Sequence, residues 1–194
     1  LGGNFNVEGD YLAFPYNIET LVGFVNIENA KKAGIDTTKA IEFTEIEYNQ
    51  ILTTVHDAWF GVAFTNAEDF ELLSKDLKSD GTKEWADLTD DQKELFEGLF
   101  NYWRAHKDNN TSLWDKDAAG GYIDEQFKTG GTDVINIDGP WAVTTVEKLV
   151  GGADNLEVIP LGQITFNGKP LEHWKGGWGL SINARCEENA DQMA

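Results

Sequence analysis

The sequence predicts an α/β fold in which a mixed, mostly parallel sheet is flanked by helices, and three observations carry that expectation. Apolar runs of strand length alternate with stretches of helical spacing. One β-branched run, residues 133–137, leads through a turn straight into a helix that begins with proline. No repeat, linker or low-complexity segment interrupts the 194 residues. Strands and helices in alternation pack as layers, helices covering sheet faces, rather than as a bundle or a sandwich. With 41% hydrophobic and 12% aromatic residues the chain holds enough apolar material for one core, so a single domain over residues 1–194 is expected.

Residues 11–15 (Tyr-Leu-Ala-Phe-Pro) and 21–25 (Leu-Val-Gly-Phe-Val) are short apolar runs of strand type joined by a polar link. Residues 28–33 read as a helical turn ended by Gly34, since glycine tolerates positive φ. Ile46, Ile51, Leu52 and Val55 recur at rough helical spacing and predict a helix from Thr44 toward His56; the dense apolar patch 58–67 predicts a buried helix. Residues 73–88 are polar and charged and read as a surface loop or small hairpin. Thr89 with Gln92 three residues later is a capping box, with Asp90 and Asp91 where the helix dipole favours negative charge. Leu95, Phe96, Leu99, Phe100 and Trp103 then draw one apolar stripe, which places Trp103 in the core. A shorter helix over 118–128 stops at Gly130-Gly131. Residues 133–137 form a strand, and Pro140 opens the next helix at a position where its missing N–H is no loss. Residues 158–161 and 179–183 complete the strands, Pro160 placing the first of them near an edge.

Composition narrows the function. Thirty-four acidic against 15 basic residues give a formal net charge of -19, so the chain has little with which to neutralise a polyanion; nucleic acid and anionic membranes are excluded as partners. The single Cys186 cannot close an internal disulfide, and no Cys/His pair stands at metal-ligand spacing, so neither metal nor cofactor is expected. No apolar run reaches the roughly 18 residues of a membrane span, and no charged and apolar leader opens the chain. Both ends read as cuts, the last residues 191–194 falling where a helix begins.

Seven tryptophans exceed what a core of this size needs, so some should face a ligand. Trp85 and Trp114 lie in polar loops and read as half-buried anchors. Trp141 stands one residue after Pro140, at the start of a helix and past the C-terminal end of a strand, the edge where ligands lie in open α/β sheets. An indole there complements the C–H face of a pyranose ring. Glu19, in the link between two strands, and Asp57, two residues before Trp59, are carboxylates able to accept sugar hydroxyls, although each alone reads equally as a solvated acid or a helix cap. Gly176-Gly177-Trp178-Gly179 suggests a tight turn beside a ligand or a plain β-turn. The three histidines are scattered and read as structural. Glu19 with Asp57 could in principle be the paired carboxyls of a glycosidase, but no nucleophile elbow, phosphate loop or zinc-protease motif accompanies them.

Ile137-Asp138-Gly139-Pro140-Trp141-Ala142 resembles the Asn-Gly-Pro-Trp segment of the maltose-binding family of ABC-transporter solute-binding proteins. Residues 11–15 with Glu19 and 21–26 resemble that family's first crossing between lobes. Val55-His-Asp-Ala-Trp-Phe60 is similar to its acidic-x-aromatic segment, and residues 176–182 to the strand that returns to the hinge. The resemblance covers most of the chain in order, the Gly-Pro-Trp unit being its most specific part. It implies a periplasmic-binding-protein-like lobe, mainly the second of two, with crossing segments near 11–26 and 176–184. It implies a non-catalytic receptor for a maltodextrin-like oligosaccharide, working with the membrane permease subunits of an ABC importer, as a cell-surface lipoprotein or periplasmic protein. Glu19 and Asp57 would bind hydroxyls and Trp59 and Trp141 would stack on successive rings, with Gly176, Gly177 and Trp178 as additions. Trp59 stands where maltose binders usually carry tyrosine, and residues 37–55 are fewer than in that protein. A non-sugar solute such as a phosphodiester is the alternative on the same fold, disfavoured by the shortage of basic residues near Trp141.

Overall fold

The computed structural model describes residues 2–70, 85–183 and 185. Its contacts divide the chain into two compact units: the contiguous stretch Leu21–His173, and a smaller unit made of Leu1–Thr20 with Trp174–Ala194. Of the two expected crossing segments, residues 11–20 and those from 176 onward belong to the smaller unit, and residues 21–26 to the larger. The expected loop 73–88 lies outside the described residues up to position 84, as do Cys186 and the expected terminal helix start.

In the smaller unit β1 (Asn6–Val7) pairs antiparallel with β2 (Asp10–Tyr11), and β3 (Phe14–Pro15) follows. The apolar run 11–15 is therefore broken into two short strands. Tyr11, Leu12 and Phe14 remain exposed, so this unit has little core of its own.

In the larger unit the chain runs through β4 (Val22–Asn26), α1 (Ile27–Ala33), β5 (Ile41–Glu42), β6 (Ile51–Leu52), α2 (Ala58–Thr65), α3 (Asp90–Asp108), α4 (Ala119–Phe127), β7 (Ile135–Asp138), α5 (Val143–Val150), β8 (Leu156–Pro160), β9 (Ile164–Phe166) and β10 (Lys169–Pro170). The main sheet has the order β6-β7-β4-β8. It is mixed, as the sequence predicts. β6, β7 and β8 point the same way, but β4 is inserted antiparallel between β7 and β8, so only the β6–β7 ladder is parallel. The unit β7-α5-β8 has the strand–helix–strand pattern of a parallel pair; local sequence cannot reveal that another strand takes the place between its members. β8 lies at the sheet edge, as Pro160 requires.

Apolar side chains alternate across β4 and fill both faces. Leu21 and Val25 join Ile135, Ile137, Ile159, Phe64 and Leu95 in the main core; Phe24 packs on the other face with Phe127, Val146 and Val150. Helices on both faces make the three-layer arrangement expected of this class.

Two expectations are corrected here. The helix expected over 44–56 is instead a short 3-10 turn, Phe43–Glu45, followed by strand β6. Ile51 and Leu52 are both buried, and their helical spacing is overridden by pairing with Ile135 and Asn136 of β7. On α3 the capping box forms with both hydrogen bonds present, but the buried residues are Gln92, Leu95, Tyr102 and His106; the buried face keeps Leu95 of the expected stripe, with Leu99 packed against the core, and is rotated off Phe100 and Trp103. Phe100 is exposed and Trp103 only half-buried, with the Lys107 Nζ 4.8 Å from its ring centre. Tyr102 and His106 win the interior because their polar tips find acceptors there. Tyr102 Oη donates to the Ile51 carbonyl at 2.9 Å, and His106 Nε2 lies 3.0 Å from the Tyr48 carbonyl.

A three-stranded sheet, β10-β9-β5, adds a hairpin beyond the expected strands. Its turn is Asn167-Gly168, both at positive φ, the pattern that matches hairpin twist. The Glu42 carboxylate accepts from the Asn167 and Gly168 amides at 2.7 and 2.8 Å; burial pushes its pKa up, but these and the Thr44 and Thr165 hydroxyls hold it below its ordinary value. The last strand, β11 (Gly179–Leu180), pairs antiparallel with β3.

Candidate functional site

β6 and β7 run parallel, so their C-terminal ends share one edge, and the chain leaves β7 there through Asp138 and Gly139. Pro140 begins a 3-10 turn, Pro140–Ala142, that feeds α5. This carries Trp141 to the rim with 53% of its surface exposed. Its indole folds back over Gly139, occupying the space that a Cβ on that residue would need. Glycine at 139 is thus what lets the ring lie against the backbone. Asp138 Oδ1 accepts from the Gly139 amide at 2.7 Å; burial, and then the charge of Asp124, push its carboxyl above the usual range despite that bond.

The second indole of this unit comes from α2. Asp57 is the helix N-cap, its Oδ1 accepting from the Trp59 amide at 2.9 Å, so the cap expected as one reading of this acid is present. Gly61 lets the same helix lie against the Val55 carbonyl, where a Cβ would collide with the backbone oxygen. The Trp59 ring lies 6.3 Å from that of Trp141 at an interplanar angle of 40°. His173 also packs on Trp59, its ring edge-on at 4.5 Å and its Nε2 2.7 Å from the Trp59 carbonyl. A carbonyl only accepts, so Nε2 carries the proton of that bond. The partner of His173 lies 114 residues away in the chain, so the local sequence gives no signal of this contact.

In the smaller unit Glu19 bonds through its amide to the Gly176 carbonyl at 2.9 Å. Its Oε1 accepts from Trp178 Nε1 at 2.8 Å, and Asn17 Oδ1 accepts from the Trp178 amide at 2.9 Å. Gly176 and Gly177 pass in extended pairing beside residues 16–19, with Tyr16 donating to the Trp178 carbonyl. Trp178 is 65% exposed. The sequence-derived residues thus form two sets: Asp57, Trp59 and Trp141 within the larger unit, and Glu19, Gly176, Gly177 and Trp178 within the smaller. Each set presents an exposed indole together with a carboxylate already engaged through one oxygen, Asp57 by the Trp59 amide and Glu19 by Trp178 Nε1 and Asn17 Nδ2. Such a surface can stack against apolar ring faces and accept hydrogen bonds from hydroxyls.

Among the described residues no three His, Cys, Asp or Glu side chains come together to hold a metal ion, and no helix is long and apolar enough to cross a membrane.

No family model and no curated protein matches the chain. Solved structures do. The GacH receptor of Streptomyces glaucescens, determined unliganded and with acarbose and an acarbose homolog, aligns over 94% of this chain and 47% of its own at 22% identity, TM-score 0.61. The maltose-binding periplasmic protein MalE from Listeria monocytogenes, in complex with maltose, aligns over 99% and 52% at 17% identity, TM-score 0.61. An extracellular solute-binding protein from Staphylococcus aureus, also with maltose, aligns over 97% and 50% at 20% identity, TM-score 0.53. The chain therefore has the fold found in about half the length of these solute-binding proteins.

Proposed function

We propose that this chain is an oligosaccharide-binding lobe, mainly the second lobe, of a two-lobed extracellular solute-binding protein that serves an ABC importer. The observation that carries the reading is the Trp59–Trp141 pair, two inclined indoles 6.3 Å apart at the C-terminal edge of a parallel strand pair. Stacking on these rings supplies affinity, worth about 0.5–1.5 kcal/mol for each well-placed aromatic contact. Asp57 and Glu19 orient the sugar by accepting hydroxyl protons through the carboxylate oxygens that Trp59 and Trp178 leave available. Trp178 and the backbone of Gly176 and Gly177 offer saccharide contacts on the smaller unit. Segments 11–26 and 176–184 act as hinge crossings for closure around it. The role is binding without turnover: Asp57 caps a helix and Glu19 holds an indole, so each carboxylate has a positioning task within its own unit. Anchoring as a lipoprotein and delivery to permease subunits complete the reading.

Titration of the chain with maltose, maltotriose and maltotetraose, followed by tryptophan fluorescence and calorimetry, tests it. Saturable binding that Trp141→Ala weakens at least tenfold is expected. Failure to respond to any mono- or oligosaccharide would remove the reading, and new reducing ends on incubation would replace it with an enzyme.

A further inference from the structure

Trp59 is the second residue of α2. A helical side chain leans back over the turn that precedes its own Cα. At this position no such turn exists, so the indole overhangs the helix end and its orientation has to come from elsewhere in the fold. Trp141 lies near it, but at 6.3 Å between ring centres, toward the far end of the range for aromatic pairs. His173 is closer, edge-on at 4.5 Å and 74°.

His173 grips the same residue twice. Besides the ring contact, its Nε2 donates to the Trp59 carbonyl at 2.7 Å. In the α-helical pattern that carbonyl also faces the amide of Ala63, and its second lone pair is the one His173 takes. The segment that carries His173 is itself held. Leu171, 2% exposed, donates its amide to the Ile164 carbonyl at 2.9 Å, and Glu172 donates its amide to the Ala63 carbonyl at 3.2 Å. Residues 172 and 173 are thus fastened to two carbonyls of α2, those of Trp59 and Ala63, which stand one above the other along the helix. An imidazole mounted on so anchored a segment gives the indole a fixed reference.

We infer that His173 is a positioning residue: it sets the plane of the Trp59 indole before ligand arrives, so that a pyranose meets a ring already turned to receive it. The inference rests on the saccharide reading above and says where part of the rim's affinity originates. An indole free to swing has to be ordered at the moment of binding, which weakens affinity; one held in advance does not. His173 acts through Trp59, not through a contact of its own with the sugar.

The test uses the chain labelled with 5-fluorotryptophan, the Trp59 fluorine resonance being assigned by its absence from Trp59→Phe. Without ligand, His173→Ala should broaden or split that resonance and leave those of Trp85 and Trp103 in place. Maltotriose affinity, read by calorimetry, should fall about three- to tenfold. His173→Phe, which keeps an aromatic edge, and His173→Gln, which keeps a donor for the carbonyl, should each recover part of the loss. In a Trp59→Ala background, His173→Ala should lower affinity no further, because a residue acting through Trp59 has nothing left to act on. A general loss of structure would instead lower affinity equally in both backgrounds. An unmoved Trp59 resonance, or equal losses in the two backgrounds, overturns the positioning role and leaves the saccharide reading standing. A wild-type chain that binds no saccharide overturns both.

Discussion

Two aromatic groups in the larger unit put the same residue types to opposite uses. Around α3, Tyr48, Tyr102, Trp114 and His106 pack at 4.7 to 5.8 Å, edge to face in three pairs and tilted between His106 and Trp114, and the polar atoms of Tyr102 and His106 are turned inward onto backbone carbonyls or Thr111. At the rim, Trp59 and Trp141 stand further apart, one of them more than half exposed, and the backbone yields to the ring through Gly139. An aromatic cluster is thus not by itself a sign of ligand or of core. What separates the two is whether ring edges interlock with saturated partners or leave a flat face open to water.

Substitutions can break that contrast. Trp114→Ala should have the largest effect on stability, about 2–3 kcal/mol by chemical denaturation, because the ring packs against Tyr102, His106 and His56; saccharide affinity of the folded fraction should not move. Trp141→Ala should do the reverse, lowering affinity at least tenfold, about 1.4 kcal/mol or more, while the denaturation midpoint stays within about 0.5 kcal/mol of wild type. If both substitutions cost mainly stability, the rim is core and the contrast fails.

pH sharpens it further. Burial holds the His106 pKa down to about 4, against the bond to the Tyr48 carbonyl, which raises it. The folded state therefore resists protonation more than the unfolded chain does. Stability from this group is complete above about 6.5 and drains away as pH falls toward 4, by about 1–2 kcal/mol once solvent screening is allowed for. In His106→Gln that slope should be missing, so the stability gap to wild type should narrow between pH 7 and pH 4.5. Smallest is Tyr102→Phe, which keeps the ring but orphans the Ile51 carbonyl, for a loss of about 1 kcal/mol. Gly139→Ala sits between the two regions: it should leave unfolding nearly unchanged yet displace the Trp141 ring, read as a shift in its fluorescence and a fall in affinity of several fold.

The features legible in the sequence were those whose cause is local. The Thr89–Gln92 capping box, Pro140 at the start of its turn and Gly34 at positive φ after α1 each depend on neighbours within four residues. So did the candidate status of Trp141, which follows from a strand end and a proline. Features set by distant partners were not legible. β6 takes its conformation from β7, over 80 residues on, and α3 presents Tyr102 rather than Trp103 because a carbonyl at Ile51 awaits a donor. His173 has no sequence signature at all. The Asn167-Gly168 hairpin is the exception, a local turn chemistry that lies outside the expected strands.

The smaller unit is stitched from chain segments that meet only across the whole length of the larger one, Phe14 and Pro15 pairing with Leu180 and Gly179. A ladder of two residues per strand yields too little burial to repay such a closure by itself. The contiguous stretch therefore collapses first on its own sequence-near contacts, and this ladder zips last. In a stopped-flow refolding experiment the latest phase should be the one that alters the environment of Trp178, and a nick anywhere in residues 1–20 should spare every earlier phase.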